Sequence, residues 1–88
     1  MKITFRKSFT KDLKKLRGTH VLKQVKIAIE RLEAAESLES LPNLKKLKGG
    51  DAFYRLRIGD YRIGLVVKDS GVDVVRCLHR RDIYKHFP

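Results

Sequence analysis

Three arginines within eight residues, Arg55, Arg57 and Arg62, surround a Gly59-Asp60 turn signal, and His79-Arg80-Arg81 follows with Tyr84 just beyond. Guanidinium groups stay charged near neutrality and grip phosphate oxygens two at a time. A cluster of this kind suits the binding of a polyanion. If the protein is an enzyme, it also suits charge developing on a phosphate.

The register of the segment gathers these side chains. Phe53–Ile58 and Tyr61–Lys68 alternate apolar and polar residues, and Gly59-Asp60 between them reads as a two-residue hairpin turn. That turn sets Ile58 opposite Tyr61, Leu56 opposite Ile63 and Tyr54 opposite Leu65, an apolar side for the core. The other side then carries Arg57 opposite Arg62, Arg55 opposite Gly64 and Phe53 opposite Val66. A third strand, Val72–His79, adds Val75, Cys77 and His79 to the arginine side if its turn keeps parity, with Val72, Val74 and Leu78 in the core. Like charges directly opposite destabilise a sheet, so Arg57 against Arg62 calls for an anion in return. Gly64, lacking a side chain inside a strand, leaves room for such a ligand. Even parity turns Arg76 to the helix side, where it could pair with a glutamate series.

The elements before the hairpin are helical. Lys2–Arg6 reads as a short strand, and Ser8 can cap a helix that shows Phe9, Leu13 and Leu16 on one face. Gly18 stops it, and Thr19 can cap a second helix to about Glu36 with Leu22, Val25, Ile29 and Leu32 in one stripe. Glu30, Glu33, Glu36 and Glu39 form a solvated series. Leu38–Gly50 reads as a loop that contains Pro42 and the basic group Lys45, Lys46 and Lys48. The last residues, Arg80–Pro88, have length for a helical turn or an extended tail. The order β-α-α-β-β-β gives an α+β fold, a two-helix hairpin on one face of a mainly antiparallel sheet, with residues 1–88 as a single domain.

Composition bounds the function. The 88 residues hold 21 Lys and Arg against 10 Asp and Glu, a formal net charge of +11. The excess is even along the chain, so the domain body itself attracts polyanions. No apolar run reaches the length of a membrane span, and Met1-Lys2-Ile3-Thr4-Phe5-Arg6 lacks the apolar stretch expected of a signal peptide. The lone Cys77 excludes an internal disulfide and a Cys-rich zinc site. A cytoplasmic setting, no metal, no cofactor and no membrane partner are the expectations.

Leu47-Lys48-Gly49, then Tyr54-Arg55-Leu56-Arg57-Ile58-Gly59-Asp60-Tyr61-Arg62-Ile63, and finally His79-Arg80-Arg81-Asp82-Ile83-Tyr84 resemble the RelE/ParE superfamily of bacterial toxins across almost the whole chain. The resemblance implies a RelE-like domain and the toxin of a type II toxin–antitoxin pair. The RelE branch implies a ribosome-dependent endoribonuclease that cleaves mRNA, and the ParE branch implies a DNA gyrase inhibitor. Both imply a cognate antitoxin, whose complex with the toxin represses its operator DNA. The family's basic positions fall on Arg55, Arg57 and Arg62. Its late basic position falls on Arg80, with Arg81 the competing alignment, and its aromatic falls on Tyr84. Arginines stand here where lysines are common in the family.

Metal-free RNA cleavage uses the substrate's own 2′-hydroxyl to attack phosphorus, leaving a 2′,3′-cyclic phosphate and a 5′-hydroxyl. It needs a proton acceptor, stabilisation of the phosphorane and protonation of the leaving oxygen. Arg57 and Arg62 suit the charge, and Tyr84 suits stacking on a base. His79 is a candidate base by its ordinary pKa of about 6.5, and equally a hydrogen-bonded strand-end residue. Lys45, Lys46, Lys48 and Arg81 are the candidate RNA-phosphate contacts. A non-catalytic basic nucleic-acid-binding module is the remaining alternative. The charge favours an acidic antitoxin that covers the Arg55–Arg62 face or displaces the Ile83–Phe87 tail.

Overall fold

The computed structural model describes residues 1–50 and 52–88. The chain runs β1 (Ile3–Phe5), α1 (Lys7–Lys14), α2 (His20–Ala34), a 3₁₀ turn (Leu38–Ser40), β2 (Leu44–Lys46), β3 (Phe53–Ile58), β4 (Tyr61–Lys68), β5 (Gly71–His79) and α3 (Arg80–His86). The strands form one sheet in the order β1-β5-β4-β3-β2, with β1 parallel to β5 and the other pairs antiparallel. This is the expected α+β architecture with two additions. Leu44–Lys46, expected in a loop, is a fifth strand at the sheet's edge, paired with Tyr54–Leu56. The C-terminal segment forms a seven-residue helix. No helix among the described residues is long and apolar enough to cross a membrane.

The apolar stripes of α1 and α2 bury themselves on one face of the sheet. Phe9, Leu16, Val25, Ile29 and Leu32 pack with Leu56, Ile58, Ile63, Leu65, Val72, Val74 and Cys77 in one cluster. Burying a side chain such as Leu32, Ile63 or Leu65, each at 0% exposure, contributes about 1.5–3 kcal/mol before entropy is counted. The glutamates at 30, 33, 36 and 39 lie outside this core and are exposed.

The helix boundaries fall close to expectation, but the capping chemistry differs. Arg6, not Ser8, stands at the N-cap of α1, and the Ser8 hydroxyl donates to the Val75 carbonyl at 2.6 Å. Thr19 holds the N-cap position of α2, while its hydroxyl donates back to Leu16 O at 2.6 Å. The first bond ties α1 to β5, and the second closes the connection between α1 and α2. β1 covers β5 only as far as Val74, and α1 takes over from there along the open edge. Beside the Ser8 contact, the Asp12 carboxylate accepts the Cys77 N–H at 2.9 Å. An edge that would otherwise show unpaired backbone groups is closed by a helix.

Candidate active site

The β3–β4 hairpin has the expected register. Arg57 stands opposite Arg62, Arg55 opposite Gly64 and Phe53 opposite Val66, with Ile58–Tyr61, Leu56–Ile63 and Tyr54–Leu65 turned to the core. Gly59 supplies the turn with φ +57° at its first central position, where a type II′ turn favours glycine. Arg62 folds back onto this turn, its Nη1 donating to Gly59 O at 2.8 Å and Tyr61 O at 2.9 Å. Two backbone dipoles therefore fix one side of the guanidinium and offset part of its repulsion with Arg57. Arg57 is exposed, and neither it nor Arg55 or Arg62 meets a carboxylate among the described residues.

β2 extends the same face. Lys45 pairs with Arg55, so lysine and arginine point to one side, while Lys46 pairs with Tyr54 and belongs to the helix side. Lys48 is exposed beyond the end of β2. The basic group at 45–48 is thus divided by strand alternation, and only Lys45 joins the hairpin arginines.

β5 departs from the expected parity. Gly64 pairs with Arg76 but Leu65 pairs with Val74, so Val75 is an extra residue in a β-bulge. Past the bulge every side chain changes face. Cys77 lies opposite Ile63 in the core, His79 opposite Tyr61, and Leu78, expected in the core, opposite Arg62. His79 therefore leaves the arginine face. Its ring meets Tyr61 edge-on with centroids 5.5 Å apart, and its Nδ1 accepts the Arg81 N–H at 3.2 Å as the N-cap of α3. Arg76, opposite Gly64, reaches round the sheet edge to Asp12 instead of the glutamate series, with Nε–Oδ2 at 2.8 Å and Nη2–Oδ1 at 3.1 Å. Burial, and secondarily the Asp12 charge, pushes the Cys77 thiol up to about 12, which keeps it protonated and unreactive.

The arginine face is not bare. α3 folds across it, with Ile83 at 0% and Phe87 at 4% exposure. Phe87, not a ligand, occupies the space above Gly64: a Cβ there would sit 2.7 Å from the ring. Phe53 packs edge-on against Phe87 at 6.0 Å. The helix leaves Tyr84 on its outer side, where the Arg55 guanidinium lies over the ring at 4.4 Å from its centroid. The Arg80 N–H donates to Asp60 O at 2.8 Å, which holds Arg80 beside the hairpin turn, and Arg80 and Arg81 are both exposed.

The structure thus brings Arg55, Arg57, Arg62, Tyr84 and Lys45 to one side of the hairpin, with the Arg80 backbone at its turn. Sequence reasoning missed Ile83 and Phe87, although their i, i+4 spacing is a helical signal. It also missed Asp12, the one acid in a lysine-rich helix. Among the described residues no group of three or more His, Cys, Asp or Glu side chains is placed to hold a metal ion.

The family model for the ParE toxin of type II toxin–antitoxin systems matches residues 3–84. The chain belongs to this toxin family, within the RelE/ParE superfamily. Toxin RelE3 of Methanocaldococcus jannaschii is 44% identical over 89 residues, covering the whole of both proteins. A chain of the RelB–RelE antitoxin–toxin complex from Methanococcus jannaschii shares 41% identity with a TM-score of 0.79, over 97% of this chain and 99% of that one. E. coli YafQ, in its complex with DinJ, is 15% identical and superposes at a TM-score of 0.77 over 94% and 97% of the two chains. At that identity the likeness speaks for the fold alone. The fold is the one shared by these toxins, three helices with a five-stranded mixed sheet.

Proposed function

We propose that this toxin is a metal-independent, ribosome-dependent endoribonuclease that cleaves mRNA by attack of the 2′-hydroxyl on the adjacent phosphate. The observation that carries the reading is the cross-strand pair Arg57 and Arg62, like charges opposed on rigid strands with no carboxylate paired to them among the described residues. Arg57 and Arg62 stabilise the phosphorane, and Arg80 at the hairpin tip neutralises the departing 5′-oxygen. Tyr84 stacks on a base, with Arg55 held over its other face. Lys45, Lys48 and Arg81 steer the backbone by charge, an effect that weakens as salt rises.

His79 is unsuited to the part of general base, because it lies on the other face and its Nδ1 is occupied as a helix cap. Arginine is a poor proton acceptor. The ribosome then contributes by holding the mRNA in attack geometry, and positioning alone supplies about 7–11 kcal/mol in favourable cases. The partner that restrains the toxin is an acidic, partly disordered antitoxin, and the pair together binds operator DNA. This agrees with the net charge of +11 and with the antitoxin bound to the Methanococcus relative.

The family model carries the ParE description, which favours gyrase inhibition as the second reading. Primer extension on mRNA incubated with purified ribosomes separates the two. Cuts that require both the ribosome and Arg57 are expected. A protein that arrests growth yet leaves ribosome-bound mRNA intact points to gyrase instead.

A further inference from the structure

α3 is seven residues long, too short to be stable by itself. Its place is set by contacts at its two ends. At the start, His79 caps it and the Arg80 N–H is bonded to Asp60 O. At the far end, Ile83 and Phe87 are buried, and the Phe87 ring lies on Gly64 with Phe53 edge-on beside it. Tyr84 lies between these anchors, itself 67% exposed. Its contact with Arg55 is therefore held by the docking of the helix rather than by burial of its own ring.

We propose that Gly64 and Phe87 form a socket and plug that position the site: the plug seats α3, and the seated helix holds Tyr84 under the Arg55 guanidinium. Neither residue touches substrate. Both are positioning residues, acting through Tyr84 and Arg55. The kinetic consequence rests on the nuclease reading above, while the structural consequence stands apart from it.

Gly64 belongs to an inner strand bonded on both sides, so its backbone has little freedom to yield. In Gly64→Ala the new methyl meets Cγ, Cδ1 and Cδ2 of Phe87 at 2.7–2.8 Å, and the ring must leave. Alanine itself is tolerated in a strand, so the sheet survives.

The test uses the full chain and three variants, Gly64→Ala, Phe87→Ala and the double Gly64→Ala/Phe87→Ala. Ring current from Tyr84 moves the Arg55 Hδ resonances upfield, which gives a direct reading of the stack. Gly64→Ala and Phe87→Ala are expected to abolish that shift and to speed hydrogen exchange of amides 81–87. They should lower the cleavage rate at saturating ribosome-bound mRNA by roughly 10- to 100-fold, with KM little changed. In the double variant the new methyl meets no ring, so its shift, exchange and rate should match those of Phe87→Ala alone rather than add a second loss.

An Arg55 shift and α3 protection unchanged in Gly64→Ala would overturn the proposal. So would loss of both with cleavage at the parent rate, or a double variant whose defect is the sum of the two single ones. If the parent protein cleaves nothing, the nuclease reading fails, and the resonance shifts and exchange rates still decide whether the socket seats the helix.

Discussion

Two sets of arginines in this sheet have opposite surroundings. Arg6 and Arg76 each meet a buried carboxylate, Asp73 and Asp12, with nitrogen to oxygen distances of 2.8 Å. Arg55, Arg57 and Arg62 have instead an aromatic ring, open solvent and two backbone carbonyls. The first set joins α1 and β1 to β5 and leaves little positive charge to attract a ligand. The second keeps its charge available on one face. Arginine content alone does not distinguish a structural cation from a functional one. The presence of a carboxylate within reach does.

The sharpest way to break that contrast is to remove one arginine from each set. Arg57→Ala or Arg62→Ala should lower ribosome-dependent cleavage by about 10²–10³-fold, the usual cost of a preorganised donor to developing charge. Thermal stability should stay close to that of the parent. Arg62→Lys should recover little, because one ammonium does not reproduce a guanidinium already oriented by the turn. Arg76→Ala should show the reverse, a fall in melting temperature with the cleavage rate per folded molecule retained. Equal kinetic losses at 57 and 76 would erase the distinction.

Asp12→Ala tests the structural set from its acidic side. It leaves the Arg76 guanidinium without its carboxylate and the Cys77 N–H without its acceptor. Breaking a buried pair in this way costs about 3–5 kcal/mol, and each kcal/mol lowers the melting temperature of so small a domain by about 4–8 °C. Cys77 provides an internal reporter. With its thiol pushed up to about 12 and its side chain buried, it should resist a thiol reagent at pH 8 in the parent. Asp12→Ala should react faster, in step with its loss of stability. A variant that melts with the parent and keeps Cys77 protected would show the pair to be dispensable.

The sequence made the hairpin legible because strand alternation and a glycine turn fix register locally. Every pair from Phe53–Val66 to Ile58–Tyr61 is where those two signals put it. Parity across β4 and β5 was not legible. One extra residue, Val75, moves Cys77, Leu78 and His79 to the opposite faces, and nothing in Val74-Val75-Arg76 announces a bulge. β2 was hidden by its length of three residues, too few to show a period. Gly64 inside a strand marks a site of close approach, but a glycine does not say what approaches. The occupant comes from 23 positions further along the chain, and only tertiary structure connects Phe87 to it. Arg76 was likewise unreadable, since its partner Asp12 lies 64 residues away.

The smallest expected effect belongs to the other structural pair, and pH reveals it. Asp73 receives Lys68 Nζ and Arg6 Nη2, both at 2.8 Å. Hydrogen bonds from Lys68 and then Arg6 hold its carboxyl below the ordinary value of 3.8, against the opposing effect of desolvation. A carboxyl with a lowered pKa in the folded state stabilises the fold fully above the unfolded value, and that contribution fades as pH falls through the folded one. Asp73→Asn should therefore be the less stable protein at pH 6, and its denaturation midpoint should converge on the parent's as the pH drops below about 4. Both partners are about half exposed, so the gap at pH 6 should be well below that of Asp12→Ala. It should also shrink with added salt, while the hairpin arginines keep their cleavage activity in Asp73→Asn at neutral pH. Midpoints that run parallel from pH 6 to pH 2 would mean that Asp73 carries no pH-linked stability. Arg6 and Lys68 would then belong with the uncompensated cations, and the division between the two sets would have to be redrawn at β1.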